Sequence, residues 1–179
     1  MKTQNFFGDR ERVTGAVRNI SSDHANIHDH EGFELCFGTE AVADDGTILI
    51  EIVTGSAKYV HMKHMRPWSE GGVASFDIVE GGTSTGGTGA TPKDKNRNGT
   101  PSTSSVTVKT GVTPTGGTSI RDPELFGGGG PGSGAGGSAS IENEWVLARS
   151  TNYLFRVKNL AGSAKALGLT LFWYEEEGA

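Results

Sequence analysis

Leu167-Gly168-Leu169-Thr170-Leu171-Phe172-Trp173-Tyr174 is the stretch that decides the fold class. Leu167, Leu169, Leu171 and Trp173 recur every second residue, so an extended chain places them on one face. A strand this apolar would recruit other chains if left at an open sheet edge. It is therefore expected to lie beside earlier strands of its own fold.

Working outward, the same period recurs. Tyr153-Leu154-Phe155-Arg156-Val157-Lys158-Asn159-Leu160 sets Tyr153, Phe155 and Val157 against Arg156 and Lys158. Ser150-Thr151-Asn152 precedes it as a turn, and Glu144-Trp145-Val146-Leu147-Ala148 reads as a further strand. Toward the N-terminus, Phe33, Leu35 and Phe37 share a face, and Asp44-Asp45-Gly46 turns the chain. Thr47-Ile48-Leu49-Ile50-Glu51-Ile52-Val53 is β-branched and nearly all apolar, as a central strand would be. Tyr59–Met65 alternates, with Val60, Met62 and His64 assigned to one face and Tyr59, His61, Lys63 and Met65 to the other. Val73–Glu80 follows, with Ala74, Phe76 and Ile78 together. No segment sustains a 3.6-residue apolar repeat, which argues against long helices. About eight short strands at this spacing predict an all-β fold: an antiparallel β-sandwich, jelly-roll-like.

Two regions depart from that pattern. Residues 1–22 are polar with scattered apolar points, among them Phe6 and Phe7, and read as an extended N-terminal arm. Residues 81–140 are dominated by Gly, Ser, Thr and Pro, with only Ser105–Lys109 resembling a strand. The reading is a single β-sandwich domain over 23–179 that carries a long Gly/Ser/Thr-rich loop insertion. A structureless loop of that length inside a compact domain tends to be functional.

Composition narrows the function. The 179 residues suit one domain, and much of the low apolar share, 34%, reflects 28 glycines. A formal charge of −5 argues against a general nucleic-acid or anionic-membrane binder. No run has the length of a membrane span or the make-up of a signal peptide, so synthesis in a cytoplasm is expected. The single cysteine, Cys36, excludes an internal disulfide and is read as a small buried strand residue.

Chemical motifs are sparse. His28-Asp29-His30, with His24 nearby and His61 and His64 further on, raises the thought of a metal site. One His-x-His without a Cys pair or a His-Glu-x-x-His helix is a weak signal, and structural or interfacial histidines are the preferred reading. Gly132-Ser133-Gly134 lacks the strand and helix of a nucleophile elbow. Gly81–Gly89 lacks the Lys-Ser/Thr ending of a phosphate loop. No catalytic residue, cofactor or metal is assigned, and the chain is read as non-enzymatic. Lys93-Asp94-Lys95-Asn96-Arg97-Asn98-Gly99 is the one compact basic cluster, suited to gripping an acidic protein surface.

The order of these pieces resembles a known family. It runs through a His-x-His start, Lys58-Tyr59-Val60-His61-Met62, Val79-Glu80-Gly81 with Gly-Thr repeats, and Lys95-Asn96-Arg97-Asn98. It continues with Thr113-Pro114-Thr115-Gly116-Gly117-Thr118, a Gly-rich stretch, Glu144-Trp145-Val146-Leu147, Tyr153–Asn159 and Phe172-Trp173-Tyr174-Glu175. Over roughly Asn26–Glu176 the chain resembles head decoration (cement) proteins of tailed bacteriophages. That resemblance implies a virion structural protein on the capsid surface, a homotrimer, with the major capsid protein as partner and no catalysis. Expected partner contacts are Phe6, Phe7, Lys93, Lys95, Arg97, Gly128, Gly130 and Pro131. The competing reading is a carbohydrate-binding β-sandwich of a phage tail or fibre, with Trp68 and Tyr59 stacking on sugars.

Overall fold

In the computed structural model, residues 22–128 and 144–177 are described. The expected arm, with Phe6 and Phe7, and Gly130 and Pro131 of the glycine tract lie outside them. A short helix α1 (Ser22–His28) precedes eleven strands: β1 (Gly32–Val42), β2 (Thr47–Val53), β3 (Lys58–Ser69), β4 (Val73–Glu80), β5 (Thr83–Ala90), β6 (Lys93–Asp94), β7 (Thr107–Thr115), β8 (Thr118–Gly127), β9 (Trp145–Leu147), β10 (Asn152–Asn159) and β11 (Lys165–Glu177).

The strands form two antiparallel sheets, ordered β6-β1-β11-β3-β9 and β5-β7-β2-β10-β4-β8. With β5, β6 and β7 set aside, eight strands remain. Their pairing is nested: β1 with β11, β2 with β10, β3 with β9, β4 with β8. One long hairpin rolled up in this way is a jelly roll. The sequence expectation of an all-β sandwich therefore holds. The decisive strand β11 lies between β1 and β3, with its apolar row against the core.

The core draws on both inner faces. Phe33, Leu35, Met62, Met65, Leu167, Leu169, Leu171 and Trp173 come from one sheet; Ile48, Ile50, Ile52, Phe76, Ile78, Tyr153, Phe155 and Val157 come from the other. Burying each such side chain contributes roughly 2–3 kcal/mol. Trp145 packs at the margin of this core. Asn159, wholly buried, ties two corners together. Its Nδ2 donates to Val42 O and Ser163 O, both at 2.8 Å, and its Oδ1 accepts from Ala161 N.

Three details differ from the sequence reading. Strand β3 pairs Met62 with Trp173 and His64 with Phe172, so Lys63 is an extra residue in a β-bulge. The bulge reverses the alternation, and Met65, rather than His64, turns inward. Cys36 is exposed, because Phe33, Leu35 and Phe37 claim the inner face of β1 and leave it outside, 3.4 Å from Thr170 Oγ1. Finally, the Gly/Ser/Thr-rich excursion is not a loop throughout. It forms β5, β6, β7 and β8, inserted and appended around the turn of the long hairpin.

The glycines of that excursion have a geometric reason. Gly86 and Gly87 in β5 and Gly111 in β7 take φ of 68°, 83° and 68°, conformations that L side chains avoid. The bent ribbon carries Val112 onto Val79, Leu154 and Leu49, a small second apolar cluster. Alternation along β4 and β10 puts that cluster on the outer face of the six-stranded sheet. A Cβ on Gly87 would lie 2.6 Å from Val112 Cγ1, and one on Gly117 2.5 Å from Val79 Cγ1.

Candidate functional site

Two sheets have four edges, and each edge exposes backbone donors and acceptors that can pair with another chain. Strand β6 closes one edge with two residues, and β9 closes another with three. Strand β8 carries Arg121, Asp122, Pro123 and Glu124, with register shifts against β4 between Phe76 and Val79. Shortness, charge, proline and bulges are the devices that blunt edges. The fourth edge is β5, Thr83-Ser84-Thr85-Gly86-Gly87-Thr88-Gly89-Ala90. It has no charge and no proline, it is exposed along most of its eight residues, and it pairs only on one side, with β7. Among the described residues it is the one long edge without charge or proline, interrupted only by the bend at Gly86 and Gly87.

Next to this ribbon lies the basic turn. Strand β6 pairs with β1 through Phe33–Asp94 and Glu34–Lys93. Asp94 is buried and anchors the turn. Its Oδ2 accepts from His30 Nδ1 at 2.6 Å and Ser102 N at 2.8 Å; its Oδ1 accepts from Asn96 N at 2.8 Å. Burial opposes the carboxylate's charge, but these bonds from His30, Ser102 and Asn96 outweigh it and hold the group below the usual carboxylate range. Glu175, also buried, accepts from Ser104 Oγ, Ser105 N and Trp173 Nε1. The segment from Lys93 to Ser105 is thus strapped to the sandwich at both ends.

The expected contact residues divide. Lys93 and Arg97 are exposed on the turn. Lys95 is exposed as well, but its Nζ is engaged: it donates to Glu34 at 3.1 Å and sits 4.6 Å from the Phe172 ring centroid. Gly128 closes β8, its N–H donating to Gly72 O at 3.0 Å. The structure brings Lys93, Lys95 and Arg97 together on one turn, whereas Gly128 ends a different strand, at the opposite sheet edge from β5.

The outer face of the five-stranded sheet holds a polar and aromatic cluster that motif reading did not find. The β3 bulge brings His61 and His64 to the same face, stacked on Tyr174 and Phe172. Glu144, just before β9, accepts from His61 Nδ1 at 2.7 Å, Tyr174 OH at 2.7 Å and Lys63 Nζ at 2.9 Å. Burial would raise its pKa, yet the bonds from Tyr174, Lys63 and His61 prevail and lower it to about 2. Both carboxylate oxygens are thereby engaged as acceptors. The only sequence signal was a carboxylate beside a strand, which is too common to single out.

Trp68 lies on the same face. Its ring passes over Gly168 and Gly38, which are paired across β1 and β11; a Cβ on Gly168 would come within 2.1 Å of the ring. Tyr59 is covered by the Arg149 guanidinium, 4.6 Å from its ring centroid. Among the described residues, no three His, Cys, Asp or Glu side chains are grouped so as to hold a metal ion. No family model, curated protein or solved structure matches this chain.

Proposed function

We propose that this chain is a structural protein of a tailed-phage virion that decorates the outer surface of the head. It adds the edge of β5 to a strand of the major capsid protein and thereby reinforces the shell, without catalysis. The observation that supports this most is the contrast among the sheet edges: three are blunted, and β5 is left open. Addition of a strand to such an edge gives affinity through main-chain hydrogen bonds, and Thr and Gly side chains let a partner backbone approach closely. The order of motifs, which resembles head decoration proteins, supplies the identity of that partner. Exposed Lys93 and Arg97 flank the ribbon and suit an acidic capsid surface. Repetition around a symmetric shell then multiplies weak single contacts.

The test is co-sedimentation of purified protein with expanded, undecorated capsids. Thr85 and Thr88 are exposed on β5. Thr85→Lys with Thr88→Lys should leave the melting temperature within a few degrees of wild type, as surface substitutions do, and should abolish binding. Undiminished binding by that variant refutes the β5 assignment. Failure of the wild-type protein to bind any capsid refutes the decoration role.

A carbohydrate-binding module is favoured by one observation, the Trp68 ring lying flat on a sheet face over two glycines. Binding on a glycan array that disappears in Trp68→Ala would establish that reading instead.

A further inference from the structure

We propose that His24 and His28 of α1 form a two-point chelate for a late first-row divalent transition metal, copper(II) foremost and nickel(II) next. The inference is independent of the capsid role. Residues four apart on a helix share a face, and here the two Nε2 atoms lie 2.9 Å apart with ring centroids 4.6 Å apart. Both side chains are exposed, so a hydrated ion can reach them.

The separation is compatible with a chelate, and the imidazole donors favour particular metals. With metal–imidazole bonds of about 2.05 Å, ligands at 90° to each other stand about 2.9 Å apart, and ligands at the tetrahedral angle about 3.3 Å apart. The observed spacing matches two adjacent positions of a square-planar or octahedral ion. Tetragonal nitrogen sites favour copper(II) and nickel(II), and the general order of affinities puts copper(II) first. Calcium and magnesium prefer oxygen donors. Without metal, a 2.9 Å contact between these nitrogens requires one ring to donate and the other to accept; for both Nε2 atoms to bind the ion, the donor ring shifts its proton to Nδ1 by exchange with solvent.

Packing holds the helix that carries the pair. Ile27, between the two histidines, lies against Gly32 on β1, where an added Cβ would meet its Cγ1 at 3.0 Å and Phe172 at 3.6 Å. Asn96 Nδ2 donates to His28 O at 3.0 Å, and Asp29 N and Glu31 N donate to Ala25 O and Asn26 O. Among the described residues no third His, Cys, Asp or Glu side chain is grouped with the pair, so the site on the described residues is a two-point one.

The experiment is titration of the full chain with copper(II), nickel(II) and zinc(II), read by calorimetry and, for copper, by electron paramagnetic resonance. The expected result is one copper(II) per chain with hyperfine structure from two nitrogens, and zinc(II) bound more weakly. His24→Ala and His28→Ala each remove one of two linked ligands and should weaken copper binding on the order of a hundredfold. His64→Gln, whose ring stacks on Phe172 and not on either helix histidine, should bind as wild type does. Circular dichroism melts without metal should match among all four proteins, which separates loss of a ligand from loss of fold. Copper affinity unchanged in His24→Ala or His28→Ala, or zinc(II) binding tighter than copper(II), overturns the proposal.

Discussion

Glu144 shows how one residue can staple two strands. It holds Tyr174 of β11 and both His61 and Lys63 of β3, all through a carboxylate lowered to about 2 from its ordinary 4.5. A depressed carboxylate stabilises the fold above its unfolded pKa and loses that contribution as pH falls through the folded value. Glu144→Gln should therefore cost roughly 1 kcal/mol at neutral pH, modest because the side chain is about a third exposed. Denaturant titrations at a series of pH values should show the gap from wild type steady above about 4.5 and closing toward 2. A gap that persists at pH 2 would assign the cost to shape rather than charge. Trp68 shows the converse economy at this scale, since its ring is seated by what Gly38 and Gly168 lack.

Among the elements, legibility followed chemistry. β1, β2, β4, β10 and β11 were readable because their inner faces carry large apolar side chains at period two, and that period sufficed for the sandwich. β5 could not be read that way: it has no apolar residue but Ala90, and it is a strand because β7 hydrogen-bonds along it. β7 is half legible, since Val108 and Val112 are both buried but fall to different clusters on either side of Gly111. The bulge at Lys63 was equally hidden, because nothing in Met62-Lys63-His64 announces an extra residue. Of the candidate contacts, the basic turn could be found as a charge cluster. Its anchor could not, since Asp94 is one acidic residue among lysines until the fold buries it.

That anchor yields a prediction at the same scale. Asp94→Ala leaves the donors of His30, Asn96 and Ser102 without their acceptor, at a cost of about 3 kcal/mol. Because the turn is strapped rather than part of the core, the loss should be local. Hydrogen exchange should quicken at Asn96 and Ser102 while Ile50 and Phe155 keep their protection. Equal acceleration at all four sites would mean that Asp94 supports the whole sandwich.

For the whole molecule, the nested pairing means that partners are distant in sequence. Gly32 aligns with Tyr174 and Val42 with Lys165, and β11 is the middle strand of its sheet. Most close contacts in the fold are likewise between residues far apart in sequence. Such topologies fold slowly, on the order of milliseconds to seconds or longer. The placement of β11 also bears on synthesis. A chain whose first 159 residues are free to fold has every strand of the six-stranded sheet but lacks the middle strand of the other, so β1 and β3 have no strand between them and Phe33, Met62 and Met65 lack their β11 neighbours. Ribosome-stalled chains with only Asn159 clear of the exit tunnel should be cleaved readily by protease, and chains with Glu177 clear of it should resist. The fold is thus completed only once β11 has emerged, and until then the half-built sheet carries two inner strand edges, on β1 and β3, that invite pairing with the wrong chain.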